Sequence, residues 1–276
     1  MTQGDVKTFT KNIQSLSTIP GLLHKILSVA QREGASANDL LKLIAHDQAL
    51  AEKVVRVANS AFFGHSGDVK DLRQAFIFLG MDKIKSIALG MTVMDIFPVR
   101  SSFNVKNLWR HGYEVAILAE ALSGIICATC PQECFLAGLL HDIGRIILYQ
   151  IDPKKFIESS AADNVLTAEE EAFGCTHGEA GAWFAEENGL PSEIISVIRY
   201  HHRPSQAKEY RDATSIVSLA EALSRRFNPQ AENDGKWTDE HDLILMEHSL
   251  TDDDILIVGE RFCAEKPEID QFFTTA

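Results

Sequence analysis

The stretch that decides the fold is Leu139-Leu140-His141-Asp142-Ile143-Gly144-Arg145, in which a histidine and an aspartate stand side by side in an apolar helical run. Neighbouring helix positions differ by about 100°, so both side chains can lean toward one cation while the apolar neighbours anchor the helix in a core. A buried carboxylate and imidazole are costly unless they are paired, hydrogen-bonded or coordinated. Metal binding is one physical reason for the pair. The alternative is that the histidine and the aspartate are core residues whose hydrogen bonds are satisfied within the protein.

A His-Asp dipeptide alone is weak evidence for a metal site. The chain contains two others, His46-Asp47 and His241-Asp242, which chance and helix-surface polarity explain. The pair at residues 141 and 142 differs because other histidines gather around it in the sequence. We therefore treat only this pair as a candidate site.

These additional histidines stand at well-defined helix positions. His111 lies on the preceding amphipathic helix, and His177 opens a later helix behind a capping box from Thr176 to Glu179. His201 and His202 end a helix that starts near Pro191, where the negative end of the helix dipole favours a cation. The candidate ligands from four helices of one bundle are His111, His141, Asp142, His177, His201 and His202. Such nitrogen and oxygen donors predict a site for one or two ions of Zn, Fe, Mn or Ni.

The rest of the chain predicts an all-α protein. Apolar residues recur at three- and four-residue steps, as in the stripe from Leu22 to Ala30, and strand-like alternation is rare. We predict a helical break at Gly80 and a junction at 98–104. The predicted organisation is an N-terminal helical subdomain over 1–100, a helical bundle over 101–228, and an acidic linker with a C-terminal helix over 229–276.

Composition restricts the classes of function. The 26 basic and 39 acidic residues give a formal net charge of -13, which disfavours sequence-independent binding to nucleic acid. We find no signal peptide and no run of about 18 apolar residues, and therefore expect no membrane contact. Five cysteines do not form an obvious disulfide framework, so we expect a cytoplasmic location.

The order of these donors resembles the HD-domain superfamily of metal-dependent phosphohydrolases, including its HD-GYP branch with paired metals. The N-terminal half narrows the resemblance, with Ile19-Pro20 before a helix and the segment Val57-Ala58-Asn59-Ser60-Ala61-Phe62-Phe63-Gly64. Together with Gly138-Leu139-Leu140-His141-Asp142, these segments resemble a bacterial HDOD domain over about residues 16 to 226. That resemblance implies an HD-like fold in a regulatory or output module of signalling, without demonstrated hydrolase activity.

The sequence departs from the hydrolase pattern at three places. Arg145 stands where HD-GYP enzymes have a lysine, and Arg203-Pro204-Ser205 stands where they have a Gly-Tyr-Pro loop. Glu221 takes the place of the late aspartate and can still reach a cation. Arginine does not readily donate a proton, so catalysis is in more doubt than binding. Arg145 is a candidate phosphate contact. The alternative is that it is a surface or ion-pairing residue.

We therefore expect a signalling module that binds a protein partner or a small phosphorylated ligand. The alternative is a metal-dependent phosphohydrolase acting on a nucleotide or cyclic nucleotide. A third interpretation is an interaction scaffold with an empty site, in which replacing His141 or Asp142 by alanine changes neither folding nor partner binding.

Overall fold

The computed structural model describes residues 2–13, 19–31, 36–59, 69–97, 105–228 and 236–275. These ranges contain helices and no strand, so the all-α prediction is confirmed. The helices are α1 (Gln3–Ile13), α2 (Ile19–Gln31), α3 (Ala37–Ala45), α4 (Gln48–Ala58), α5 (Leu72–Ile96), α6 (Val105–Ile126), α7 (Pro131–Leu140), α8 (Ile143–Ile151), α9 (Pro153–Ser160), α10 (Val165–Phe173), α11 (His177–Glu187), α12 (Ser192–Tyr200), α13 (Arg211–Phe227), α14 (Asp239–Glu247) and α15 (Asp252–Thr275), with a 3-10 turn at Pro204–Gln206.

The chain divides into two compact units. One contains residues 1–16 and 99–264, and the other contains residues 17–98 and 265–276. The change of unit after residue 98 lies near the boundary expected at residue 100. However, α1 groups with the bundle, and the last residues of the chain group with the other unit. The organisation into 1–100, 101–228 and 229–276 remains a proposal.

In the unit of residues 17–98, α5 packs against α2, α3 and α4. Gly80 interrupts α5 with a positive φ of 78°, which confirms the predicted break at a residue without a Cβ. Asn59 ends α4 and links its end to the chain before α5. Its side chain donates to the Val69 carbonyl at 2.7 Å and accepts from the Val69 amide at 3.0 Å. The predicted junction at 98–104 lies outside the described residues.

In the unit of residues 99–264, α6, α7 and α13 pack together, and α8 packs against α11. The contact between α8 and α11 requires a glycine. A Cβ atom on Gly144 would lie 1.8 Å from the backbone oxygen of His177. This close approach brings the turn before α8 beside the beginning of α11.

Two helices of the same unit were not predicted. α1 has few apolar residues, yet it buries Val6 and Thr10 where it packs against α11 and α8. α14 lies within residues 229–276, for which we expected an acidic linker and a C-terminal helix. Its capping box uses the His241 side chain at the third position in place of the usual glutamate or glutamine, so the sequence signal is weak.

Among the residues that the structure describes, the stretch Pro131–Ile151 is long and apolar enough to span a membrane. In the structure, 89% of its apolar window is buried within the protein. The same stretch is divided between α7 and α8. Burial of this kind is typical of the core helices of a folded bundle.

Candidate metal centre

The His-Asp pair lies in a turn between two helices. We expected both residues on one continuous helix, and this expectation is wrong: α7 ends at Leu140 and α8 begins at Ile143. Asp142 leaves helical geometry with φ −97° and ψ 11°. His141 is fully buried, and its Nδ1 lies 2.7 Å from the Gly138 carbonyl oxygen. Because that carbonyl can only accept, Nδ1 carries the ring hydrogen and Nε2 lies 3.6 Å from an Asp142 oxygen.

His177 is the first residue of α11, behind the predicted Thr176–Glu179 capping box, which is confirmed. A buried carboxylate that the sequence analysis missed fixes its position. The Oε2 atom of Glu169 accepts a hydrogen bond from both the backbone amide and the Nδ1–H of His177, each at 2.8 Å. The Nε2 atom of His177 therefore points away, to 3.3 Å from Asp142 Oδ1.

A sequence signal for Glu169 does exist. Three consecutive glutamates occupy residues 169–171, and Glu169 lies four residues before the buried Phe173. That spacing places Glu169 on the apolar face of α10. A glutamate on such a face needs a partner, but the sequence does not reveal that the partner is His177.

His201 ends α12 as predicted and is held in the same manner. Its Nδ1 lies 2.9 Å from the Ile198 carbonyl oxygen, so the Nε2 atom carries the lone pair. Burial lowers the pKa of His201 well below its usual value, and the neighbouring His202, His141 and His177 lower it further. The neutral ring is the form that binds a metal ion.

The lone pairs of two rings and a carboxylate converge on one point. His177 Nε2 and His201 Nε2 are 3.3 Å apart, and they lie 3.3 and 3.8 Å from Asp142 Oδ1. Because backbone or carboxylate acceptors hold the hydrogen of each ring on Nδ1, neither Nε2 atom of the neutral rings can donate to the other. A shared cation, an additional proton, or a hydrogen bond from His202 Nε2, which lies 3.0 Å from His177 Nε2, relieves this repulsion.

All seven predicted ligands lie in two adjacent groups. One group is Asp142, His177, His201 and His202, and the other is His111, His141 and Glu221. Within each group the donor atoms lie within 4.8 Å of one another, and six of the seven residues are buried, with His202 half-buried. Imidazole nitrogens and carboxylate oxygens suit Zn, Fe, Mn or Ni, so the donor set fits one or two such ions.

The remaining distances link the two groups. His111 Nε2 lies 4.0 Å from Asp142 Oδ2, and the rings of His111 and His141 meet edge to face with centroids 5.2 Å apart. Glu221 Oε2 lies 3.8 Å from His202 Nδ1. Asp142 therefore faces both groups.

Arg145 is buried beside the centre. One guanidinium nitrogen lies 3.9 Å from Asp142 Oδ2, and the guanidinium carbon lies 5.9 Å from the centre of the Phe156 ring. The interpretation as a surface residue does not hold, because Arg145 is 8% exposed. The geometry favours an ion pair with Asp142, and its role as a phosphate contact remains a proposal.

A cavity of about 300 Å³ reaches the centre from one side. His202 and Glu221 are the two candidate ligands that line it. The segment after α13 supplies part of its wall, namely Lys236, Thr238, Glu240 and His241. A small molecule can therefore approach the donor groups from this cavity.

Comparison with known proteins identifies the family. A model of the HDOD domain matches residues 16–204, more than half of the chain. The chain belongs to the HDOD family. The matched range includes the described donors from His111 to His202, whereas Glu221 and the cavity wall formed by residues 236–241 follow it.

Relatives of this HDOD protein span several bacteria. An uncharacterised protein of Treponema pallidum is 25% identical over 225 residues, which cover 77% of this chain and 43% of that protein. The chain thus spans less than half of this curated relative.

Solved structures share the fold. A candidate phosphohydrolase of Shewanella amazonensis superposes with a TM-score of 0.77 at 21% identity, covering 96% of this chain and 97% of that one. A candidate signal transduction protein of Marinobacter aquaeolei gives a TM-score of 0.76 at 20% identity, covering 94% of this chain and 59% of that one. At these identities the likeness concerns the fold alone.

Proposed function

We propose that this HDOD protein is a metal-binding regulatory module of bacterial signalling. The observation that carries the proposal is the convergence of His177 Nε2, His201 Nε2 and Asp142 Oδ1 within 3.8 Å of one another. A protein interior holds such lone pairs together at a net cost unless a cation or a hydrogen-bond donor binds them. Regulation is the proposed use because the chain is an HDOD domain.

The two donor groups would hold two ions. Asp142, His177, His201 and His202 would hold one ion, and His111, His141 and Glu221 would hold the other. A bound ion of this kind lowers the pKa of a coordinated water and polarises a phosphoryl oxygen. The protein's own contribution is to fix the rings of His141, His177 and His201 by their Nδ1 hydrogen bonds and to exclude bulk water from the buried donors.

A signalling role is supported by the HDOD match and by the fold that the chain shares with the candidate signal transduction protein of Marinobacter aquaeolei. In this proposal, a protein partner or a small phosphorylated ligand recognises or changes the metal-bound state of the centre. We propose that the protein acts in the cytoplasm, because its five cysteines are free and the Pro131–Ile151 stretch is buried.

A metal-dependent phosphohydrolase is the second candidate function. The observation that favours it is the cavity that reaches His202 and Glu221, since a substrate there would lie beside both donor groups. Against it stand Arg145, which pairs with Asp142, and the Arg203-Pro204-Ser205 sequence in place of a Gly-Tyr-Pro loop. An arginine at that position is a poor proton donor.

One assay separates the two functions. The full chain is loaded with Mn, Fe, Zn or Ni and incubated with p-nitrophenyl phosphate and bis(p-nitrophenyl) phosphate, with the His141→Ala protein as background. A regulatory module binds metal and shows turnover no higher than His141→Ala. Metal-dependent turnover of about 1 s⁻¹ or more, lost in His141→Ala, would contradict the regulatory proposal and support the hydrolase.

A further inference from the structure

A segment that follows the HDOD match forms part of the cavity over the metal centre. The family match ends at residue 204, whereas Lys236, Thr238, Glu240 and His241 line the cavity together with His202 and Glu221. Glu240 and His241 lie on α14, which packs against α13. Residues that follow the family match therefore form part of the wall at the mouth of the proposed metal centre.

The tautomer of His241 follows from its contacts. The backbone amide of Thr238 donates to His241 Nδ1 at 2.9 Å, and the Thr238 hydroxyl lies 3.0 Å from the same atom. A backbone amide can only donate, so Nδ1 carries the lone pair and Nε2 carries the hydrogen. Burial lowers the pKa of His241, although hydrogen bonds with the backbones of Ser218 and Thr238 and the charges of Glu240 and Asp242 oppose this effect. The ring is therefore neutral near pH 7.

The hydrogen on Nε2 determines the orientation of a buried serine. Ser218 Oγ lies 3.3 Å from His241 Nε2, and Ser218 is 3% exposed. Since His241 donates this bond, the Ser218 oxygen accepts it and the Ser218 hydroxyl hydrogen remains for another acceptor. Ser218 lines the cavity three residues before Glu221 on α13. The hydroxyl can therefore donate into the cavity, about one helical turn from a proposed metal ligand.

The cavity also shows which kind of molecule fits. Lys236 lines it and donates to the Asp163 carbonyl at 2.9 Å, which brings a positive charge to the wall. Val165, Leu166 and Pro204 supply apolar surface. Its volume of about 300 Å³ is at the small end of ligand pockets and larger than a bare phosphate ion requires. Three carboxylates, Asp163, Glu221 and Glu240, also line it, so these features fit a small phosphate ester once bound ions compensate that negative charge.

We infer that Ser218, oriented by His241 of α14, donates a hydrogen bond to a phosphoryl oxygen of a small phosphate ester bound over the proposed metal centre. This inference rests on the proposed function, because the metal ions would hold the other phosphoryl oxygens. Ser218 is a binding residue in this account, and His241 is a positioning residue that acts through it.

The test measures ligand binding by the full chain loaded with Mn²⁺. Isothermal titration calorimetry gives the affinity for inorganic phosphate and for adenosine monophosphate, and elemental analysis gives the metal content of each protein. The variants are Ser218→Ala, Ser218→Thr, which keeps the hydroxyl, and Ser215→Ala as the matched control. Ser215 is a buried serine of the same helix that does not line the cavity.

Ser218→Ala is expected to weaken the binding of either probe by roughly tenfold or more, because it removes a hydrogen bond to a charged group. Metal content stays unchanged, Ser218→Thr retains most of the affinity, and Ser215→Ala binds as wild type does. Tighter binding of adenosine monophosphate than of phosphate identifies an ester as the ligand, whereas binding of phosphate alone contradicts the ester.

Two results would overturn the inference while leaving the metal centre in place. One is a metal-loaded wild type that binds neither probe, and the other is Ser218→Ala binding both probes as wild type does. A wild type that takes up no Mn²⁺ removes the proposed function and this inference together.

Discussion

At the scale of single residues, the hydrogen bonds on the Nδ1 atoms organise the centre. His141, His177 and His201 each have Nδ1 within 2.9 Å of a carbonyl or carboxylate oxygen. Each ring therefore directs its Nε2 atom toward Asp142. Fixing the tautomer and the ring in advance reduces the ordering that a metal ion must impose when it binds.

Glu169 is the partner whose removal tests this view. Glu169→Gln keeps the size of the side chain but removes the charge next to His177, and we expect metal affinity to fall by about 10- to 100-fold. Competition with a metallochromic chelator measures the affinity, and circular dichroism checks the helix content.

The control for this variant is Glu171→Gln, which makes the same change at an exposed position of the same helix. It should bind metal as wild type does. Equal affinities for Glu169→Gln and wild type would show that Glu169 has only a structural role.

At the scale of helices, the turn between α7 and α8 and the beginning of α11 bring the ligands together. Gly144 permits this approach, since a Cβ there would lie 1.8 Å from the His177 backbone oxygen. We expect Gly144→Ala to destabilise the fold by about 1–3 kcal/mol or more and to reduce metal binding, because α8 and α11 must separate.

Gly124→Ala is the matched control for Gly144→Ala. Gly124 lies on α6 with no atom within 4 Å of the added Cβ, so alanine there is neutral or stabilising by up to about 1 kcal/mol. Urea unfolding measures both changes. The account of this contact is wrong if the two substitutions have equal effects.

The first turns of α7 and α12 carry a pair of carboxyl groups, Glu133 and Glu193. Burial raises the pKa of Glu193 from 4.5 to about 7, and the charge of Glu133 and a hydrogen bond with it add to the rise. The folded state therefore binds a proton more tightly than the unfolded state does. The stability that this tighter proton binding contributes is fully present below about pH 4.5 and is lost as the pH rises through about 7.

Glu193→Gln removes the charge that this site disfavours. We expect its Tm to exceed that of wild type by about 1–3 °C at about pH 8, with little difference at about pH 4.5. Thermal unfolding by circular dichroism measures both values, and the exposed Glu209→Gln serves as control. An advantage of the same size at both pH values would contradict the raised pKa.

The sequence predicted much at this scale because helix signals are local. The break at Gly80 and the capping box at Thr176 depend on neighbouring residues, and both are observed. The residues that can bind metal, from His111 to Glu221, can likewise be recognised in the sequence by their type and order. The turn at Asp142 and the role of Glu169 were missed because they depend on helices that meet only in the folded chain.

At the scale of the whole molecule, the site is built within one of the two units. All seven candidate ligands and Glu169 belong to the unit of residues 1–16 and 99–264. The other unit carries part of the HDOD match, including Asn59 and its two hydrogen bonds to Val69. Metal binding and any second role of the chain can therefore be tested separately by substitution.

The central claim is that the histidines and carboxylates around Asp142 hold metal, and elemental analysis tests it most directly. Tag-free protein is purified without added metal as wild type, as His141→Ala, and as His24→Ala, which changes an exposed histidine outside both donor groups. We predict near-stoichiometric Fe, Mn, Zn or Ni in wild type and in His24→Ala, and its loss in His141→Ala. Wild type that is free of metal, and remains so after incubation with these ions, would contradict the account.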